Sequence, residues 1–259
     1  MRRRLAQYSL ILAAVAVATT ANAQRATPAR YHAPRAPAMS IDGVISDAEW
    51  AKATWTTDFI DIEGVSKPAP AFRTRARLMW DDEYLYIAAE LEEPHVWGTL
   101  TERDAVIFHD NDFEVFIDPD GDTFNYYELE INALGTVWDL FLTRPYRDHG
   151  EAINAWDIHG LKSAVRINGT LNDARDRDVG WTIELALPWM VLKEAAPEHR
   201  RPKPGEEWRV NFSRVEWDAD IVDNTYVKRN QPEHNWVWSP QGAIALHMPE
   251  KWGYVRFVE

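Results

Sequence analysis

Between residues 72 and 80 the chain alternates. Phe72, Thr74, Ala76, Leu78 and Trp80 fall on one side, and Arg73, Arg75, Arg77 and Met79 on the other. A period of two sends alternate side chains to opposite faces, so this is a strand with a buried and a polar face. The turn Asp81-Asp82-Glu83 leads into a second strand, Tyr84 to Ala89. Phe113 to Ile117 predicts a third, and the turn Asp118-Pro119-Asp120-Gly121-Asp122 leads to a fourth at Tyr127 to Ile131. Further strands are expected at Val137 to Leu142, Ala164 to Asn168, Trp181 to Leu187, Trp208 to Glu216 and Gly253 to Phe257. Two short helices complete the picture. One starts at Ser46-Asp47-Ala48-Glu49, a capping box, and the other runs from Pro188 to Leu192. Many short strands punctuated by turn signals predict an all-β fold: an antiparallel β-sandwich, jelly-roll-like, with one or two short helices.

The ends divide the chain into three. Arg2, Arg3 and Arg4, the apolar run Leu10 to Ala18, and Ala21-Asn22-Ala23 have the order of a secretory signal over residues 1–23. The run is too short to span a bilayer, which takes roughly 20 apolar residues. Residues 24–38, rich in Ala, Arg and Pro, read as a linker, and residues 39–259 as one domain. The chain has no cysteine, hence no disulfide and no lipid-attachment thiol. A soluble exported product, periplasmic or extracellular, is expected. Formal net charge is −13, and removing the three leader arginines deepens it to −16. That balance argues against nucleic acid or an anionic membrane as partner.

Three groups of residues could carry chemistry. If Glu114 pairs with Glu130 and Phe116 with Glu128 across the hairpin, then Glu114, Glu128 and Glu130 share one face. Facing like charges repel, so a metal, an arginine or a bound polyol should compensate. The stripe Arg73, Arg75, Arg77 and the more distant Arg214 are candidates; a solvated outer face is the plainer alternative. Asp118, Asp120 and Asp122 offer alternating oxygens to a hard cation such as calcium, although the turn also reads as an ordinary Pro-Asp-Gly turn and is no EF-hand. Near the C-terminus, Trp236 and Trp238 lie on one side of an extended segment, with Asn235 and Gln241 close by. Sugars need a flat aromatic wall with fixed donors and acceptors, and this segment has both, though a tryptophan can equally plug a core.

Ile41-Asp42-Gly43 with Asp47 and Trp50, Leu78 to Tyr86, Asn111 to Asp118, Gly180 to Glu184 with Pro188-Trp189, Trp208 to Phe212 and Trp252-Gly253 together resemble the family 9 carbohydrate-binding modules, in particular a stand-alone subgroup. The resemblance runs from about Met39 to Glu259. It implies a β-sandwich that binds sugar between two aromatic walls, with calcium as a structural ion in some members. By position, one wall is Phe108, where a tryptophan is expected, and the other is Trp236 or Trp238. The strand glutamate that touches sugar corresponds to Glu114, and an arginine expected on the next strand is Glu130 here. The reading is therefore an exported, non-catalytic saccharide-binding protein that supports polysaccharide breakdown or uptake, with a glycoside hydrolase partner encoded elsewhere. Its ligand-binding candidates are Phe108, Glu114, Glu130, Arg214, Asn235, Trp236 and Trp238. Two alternatives stay open: a glycoside hydrolase using two of Glu114, Glu128 and Glu130, and a haem-binding sandwich of related fold, with Met248, His95, His109, His234 or His247 as axial ligand.

Overall fold

A computed structural model describes residues 27–259. The expected signal segment therefore lies outside the described residues. Fifteen strands follow in chain order. They are β1 (Arg30–Ala33), β2 (Ile60–Asp61), β3 (Thr74–Trp80), β4 (Tyr84–Glu92), β5 (Asp112–Asp118), β6 (Tyr126–Asn132), β7 (Val137–Leu142) and β8 (Ala152–Ile153). Then come β9 (Lys162–Asn168), β10 (Gly180–Pro188), β11 (Glu207–Glu216), β12 (Ala219–Val222), β13 (Thr225–Lys228), β14 (His234–Val237) and β15 (Gly253–Phe257). Two short helices, α1 (Asp47–Trp50) and α2 (Trp189–Leu192), sit where the sequence predicts them. Ser46 caps α1 by accepting the Glu49 N–H, while the Glu49 carboxylate takes the Ser46 hydroxyl and the Ser40 N–H.

Thirteen of the strands form two sheets packed face to face, and β12 and β13 pair with each other as a separate two-stranded ribbon. The larger runs β1-β15-β11-β5-β6-β7-β8, with β14 attached to β11 and β2 to β14; the smaller runs β3-β4-β10-β9. Strand pairs are antiparallel except β1 with β15. Between the sheets, Leu78, Trp80, Ile87 and Leu91 meet Phe113, Val115, Ile117, Leu129 and Phe212 in one apolar core. Burying each such side chain contributes about 1.5–3 kcal/mol, enough in sum to hold the domain without disulfides.

Part of the stretch expected to be a linker is structural. Arg30–Ala33 forms the edge strand β1, and Tyr31 and Ala33 bury against the core. The Tyr31 hydroxyl donates to the Thr54 carbonyl and accepts the Leu78 N–H. The composition, rich in Arg and Pro, hid two well-placed apolar residues.

The opening motif is also architectural. Glu184 on β10 accepts the Trp50 indole N–H and the N–H groups of Asp42 and Gly43. Gly43 sits at φ +82°, and a Cβ there would press on the backbone of Val165 and Arg166. This motif anchors the chain to the smaller sheet.

Candidate functional site

Both faces of the large sheet's centre are buried. One face makes the core. On the other, the ladders place Ser213, Glu114, Glu130 and Trp138 side by side in one row, and Asn211, Phe116, Glu128 and Leu140 in the next. The expected hairpin register, Glu114 opposite Glu130 and Phe116 opposite Glu128, is the observed one.

Two loops cover this face. The first, residues 99–111, is tied by the Asp110 carboxylate, which accepts from the Thr99 N–H and hydroxyl, the Leu100 N–H and the Asn132 amide. The Phe108 N–H then donates to Glu130 at 2.9 Å, and the Phe108 carbonyl accepts from the Trp217 indole at 2.8 Å. The second loop, 239–252, is pinned by reciprocal bonds between Asn211 and Ser239 and by Arg209, which donates to the carbonyls of Glu250 and Trp252. Trp252 packs under it against Phe116 and Tyr126.

Between the loops lies a cavity of about 230 Å³. Glu114, Glu128 and Glu130 floor it, Phe108, Trp138 and Tyr146 supply its aromatic wall, and Asn235, Glu233 and His247 add polar edges. Phe108 and Trp138 lie near-parallel, centroids 6.5 Å apart. The Trp138 indole N–H is buried with no partner. No lysine or arginine lines the cavity.

The floor is electrostatically unusual. Burial, then mutual repulsion, pushes the carboxyl groups of Asp112, Glu128 and Glu130 well above the usual range. Burial and the nearby Glu233 charge push Glu114 up to about 7. His247 is pushed down to about 4 by burial. Its ring lies 3.8 Å from a Glu128 oxygen, but with the imidazole neutral near neutral pH this contact is no ion pair. Such opposed shifts concentrate where a site binds or reacts.

The candidates divide accordingly. Phe108, Glu114, Glu130 and Asn235 come together in the cavity. Trp236 and Trp238 do not: each is 4 % exposed and belongs to the inter-sheet core. Trp236 packs on Phe72 and the Arg214 guanidinium, and Trp238 on Tyr31 and Phe212. Both read as wall residues in sequence because core and binding tryptophans share one alternating pattern. Arg214 is also corrected. It stands on the core face of β11 and bonds Glu93, Glu216, the Thr74 hydroxyl and the Glu92 carbonyl. The arginine stripe answers a different partner: Arg73 and Arg75 pair with Glu90, and Arg75 and Arg77 lie over Trp55. Asp118, Asp120 and Asp122 do converge, with oxygens within 4.8 Å, but they accept the turn's own N–H groups. Of the haem-ligand candidates, only His247 lines the cavity; His95 bonds Tyr226, and His234 stacks on Trp236. Trp138 and Tyr146 were missed. Trp138 follows from the ladder, since it sits beside Glu130, but Tyr146 arrives by a loop that no local pattern announces.

Fold and cavity together define a β-sandwich with a preformed, aromatic-lined binding site. The chain belongs to the carbohydrate family 9 binding domain-like family, whose sequence model matches residues 41–259. It is 28% identical over 152 residues to exoglucanase XynX of Acetivibrio thermocellus, covering 59% of this chain and 12% of that protein. It is 32% identical over 89 residues to endo-1,4-beta-xylanase C of Paenibacillus barcinonensis, covering 34% of this chain and 7% of that protein. The chain thus spans only a small part of these curated relatives. Its fold is similar to that of a family 9 carbohydrate-binding module from Caldicellulosiruptor kristjanssonii in complex with glucose, with TM-score 0.58, 15% identity, and coverage of 88% of this chain and 95% of that one. A family 9 module from the same organism in complex with cellotriose gives a TM-score of 0.56 at 15% identity over 88% of this chain and 93% of that one. Among the described residues no helix is long and apolar enough to cross a membrane.

Proposed function

We propose that this chain is an exported, non-catalytic module that binds a saccharide end in the cavity between the 99–111 and 239–252 loops. The observation that carries the reading is the pairing of a near-parallel Phe108–Trp138 wall with a buried floor of acceptors, Glu114, Glu128 and Glu130. The apolar C–H face of a pyranose suits the aromatic wall. Its hydroxyls suit the carboxyl oxygens, Asn235 and the unpartnered Trp138 indole N–H. A cavity of about 230 Å³ fits one or two sugar rings, not a polymer threaded through it.

The sugar complexes of the structural neighbours and the glucanase and xylanase names of the relatives point to β-linked plant polysaccharide. Release to the periplasm or exterior, beside a glycoside hydrolase encoded elsewhere, fits this role. Binding is favoured over hydrolysis because a hydrolase needs one ionised carboxylate beside one protonated acid. Here burial raises all three glutamates in the same direction.

The test is calorimetric titration with glucose, cello-oligosaccharides and xylo-oligosaccharides, alongside a glycan array. Saturable binding by the parent and its loss in Phe108→Ala and Trp138→Ala supports the reading. Absence of binding to every glycan, or release of reducing ends on prolonged incubation, refutes it.

A further inference from the structure

A second cavity, of about 290 Å³, lies between the chain that follows β4 and the β12–β13 ribbon. Phe72, Trp97, Trp217 and Tyr226 bring four aromatic rings to it from four separate segments. A two-stranded ribbon is marginal by itself and needs a surface to pack on. Here Ile221, which lines the cavity together with its ladder partner Tyr226, is still 46 % exposed. The space beneath the ribbon is left open by the protein's own side chains. An adjoining cavity of about 240 Å³, with Trp236 in its wall, shares Phe72, Glu216 and Asp218 with the first. Asp218 therefore stands at the junction of two aromatic-walled cavities.

We propose that this trough is a second binding site, one for a small organic cation. The ligand's ammonium group sits on Asp218, and its apolar part lies between the rings of Phe72, Trp97, Trp217 and Tyr226. Charge complementarity selects the ligand class. Four carboxylates line the larger cavity against one guanidinium, that of Arg229, which pairs with Asp220. Glu93 and Glu216 are closed from behind by Arg214. Asp218 is left over. Among the described residues no lysine or arginine pairs with it; the Gln231 amide donates to it, and His234 Nε2 lies 3.5 Å away. Aromatic faces attract cations through their quadrupole, and a primary ammonium adds charge-assisted hydrogen bonds to a carboxylate. The rings of this region already take the protein's own cations: Lys228 Nζ lies 3.7 Å from the Trp217 centroid, and the Arg214 guanidinium 5.2 Å from that of Trp236.

The walls are fixed in advance, which lowers the ordering cost of binding. The Trp217 N–H donates to the Asn111 side chain and its indole to the Phe108 carbonyl. The Tyr226 hydroxyl donates to the Asp173 carbonyl and meets His95 Nδ1 at 3.2 Å. The Asp218 carbonyl accepts the Arg229 N–H, which ties the base of the ribbon together.

Calorimetric titration of the whole chain with benzylammonium chloride at about pH 7.5 is expected to show one saturable site, with Kd on the order of 10⁻⁴–10⁻³ M. Benzyl alcohol, a neutral molecule of the same shape, should bind at least about tenfold more weakly. Asp218→Asn should weaken cation binding by about tenfold. Tyr226→Leu, which keeps bulk and removes a ring, should weaken it by about two- to fivefold. Asp120→Asn removes the same charge from the turn at the far end of β5 and should leave binding unchanged, which separates a site from the general pull of an acidic chain. Unfolding curves confirm that each variant folds; should Asp218→Asn fail, Tyr226→Leu carries the comparison. No saturable binding, equal binding of benzyl alcohol, or equal loss in Asp120→Asn and Asp218→Asn overturns the proposal. So does full binding in Asp218→Asn, which puts the cation elsewhere, the acid-floored saccharide cavity included. The site does not depend on the saccharide reading, and glycan titrations report on that reading alone.

Discussion

Two buried acidic clusters flank β11, one on each face. On the core face, Arg214 is 1 % exposed and lies 2.7 Å from both Glu93 and Glu216. On the other face, Asp112, Glu114, Glu128 and Glu130 stand together with no cationic side chain. The first cluster contains its own counterion, and its guanidinium is further bonded to Thr74 and the Glu92 carbonyl. Even there two carboxylates share one cation, and burial with the neighbouring Glu216 pushes Glu93 up to about 9. The second cluster lacks even one. Neither is needed to make a sandwich, since apolar residues of similar volume serve at least as well. The compensated cluster closes on itself and acts as structure. The uncompensated one faces a cavity and is left to be completed from outside.

Removing the counterion should have the largest effect. Arg214→Ala strands Glu93 and Glu216 and is expected to cost about 3–5 kcal/mol in urea unfolding. A loss below about 1 kcal/mol, the scale of an exposed pair, would erase the contrast between the faces. The next effect comes from pH. Between the ordinary carboxylate range and about 7, the folded protein holds a proton on Glu114 that the unfolded chain has released. Raising pH through that window therefore favours the unfolded chain, by up to about 1.4 kcal/mol per unit for each such proton. The groups facing Glu114 are Asp112, Glu128, Glu130, Glu233 and the neutral His247, none of which offsets the trend. In chelator, stability by urea titration should fall by about 2–3 kcal/mol from pH 5 to pH 8. A stability that rises over the interval would show that the floor is compensated after all. Phe108→Ala comes third, with about tenfold weaker saccharide binding and little loss of fold, because its ring sits at the cavity wall and not in the core.

The strands around these clusters were legible in sequence because period-two alternation is a local signal. The Glu114–Glu130 register, which assumed that Asp118 pairs with Tyr126 across the turn, is the observed one, and the period of two alone put Glu114, Glu128 and Glu130 on one face. Legibility stopped at the question of which face a residue serves. On β5 all seven residues are buried, so polarity no longer marks the solvent side. Trp236 and Trp238 met the requirements of a sugar platform but fill the core, whereas Trp138, on an ordinary-looking strand, lines the cavity. Arg214 was tied to the carboxylates of its own sheet; its partner Glu93 lies at the end of β4, across the sandwich. That pairing depends on how two sheets stack, which no local pattern encodes. The edge strand β1 was missed for a related reason: a Pro-rich segment joins a sheet when a neighbour offers an edge, while β12 and β13 pair only with each other in a polar stretch that carries no alternation.

A comparison of two glutamine variants discriminates most sharply between the two faces. Replacing one member of a compensated pair should destabilise, and replacing one member of an uncompensated group should not. Glu114→Gln keeps the shape and removes a carboxylate that burial already holds partly protonated. Between pH 5 and pH 8 the variant should gain about 2–3 kcal/mol on the parent, because it lacks the proton whose release costs the folded parent that much. Glu216→Gln, beside Arg214, should instead lose stability at pH 8, because it withdraws charge from a buried guanidinium. If both glutamine variants move in the same direction, the faces of β11 are electrostatically equivalent, and the case for the cavity floor as a site completed by ligand falls with that result. If they move oppositely, the acids on the cavity side are kept at a cost to folding, which is the mark of a group retained for binding.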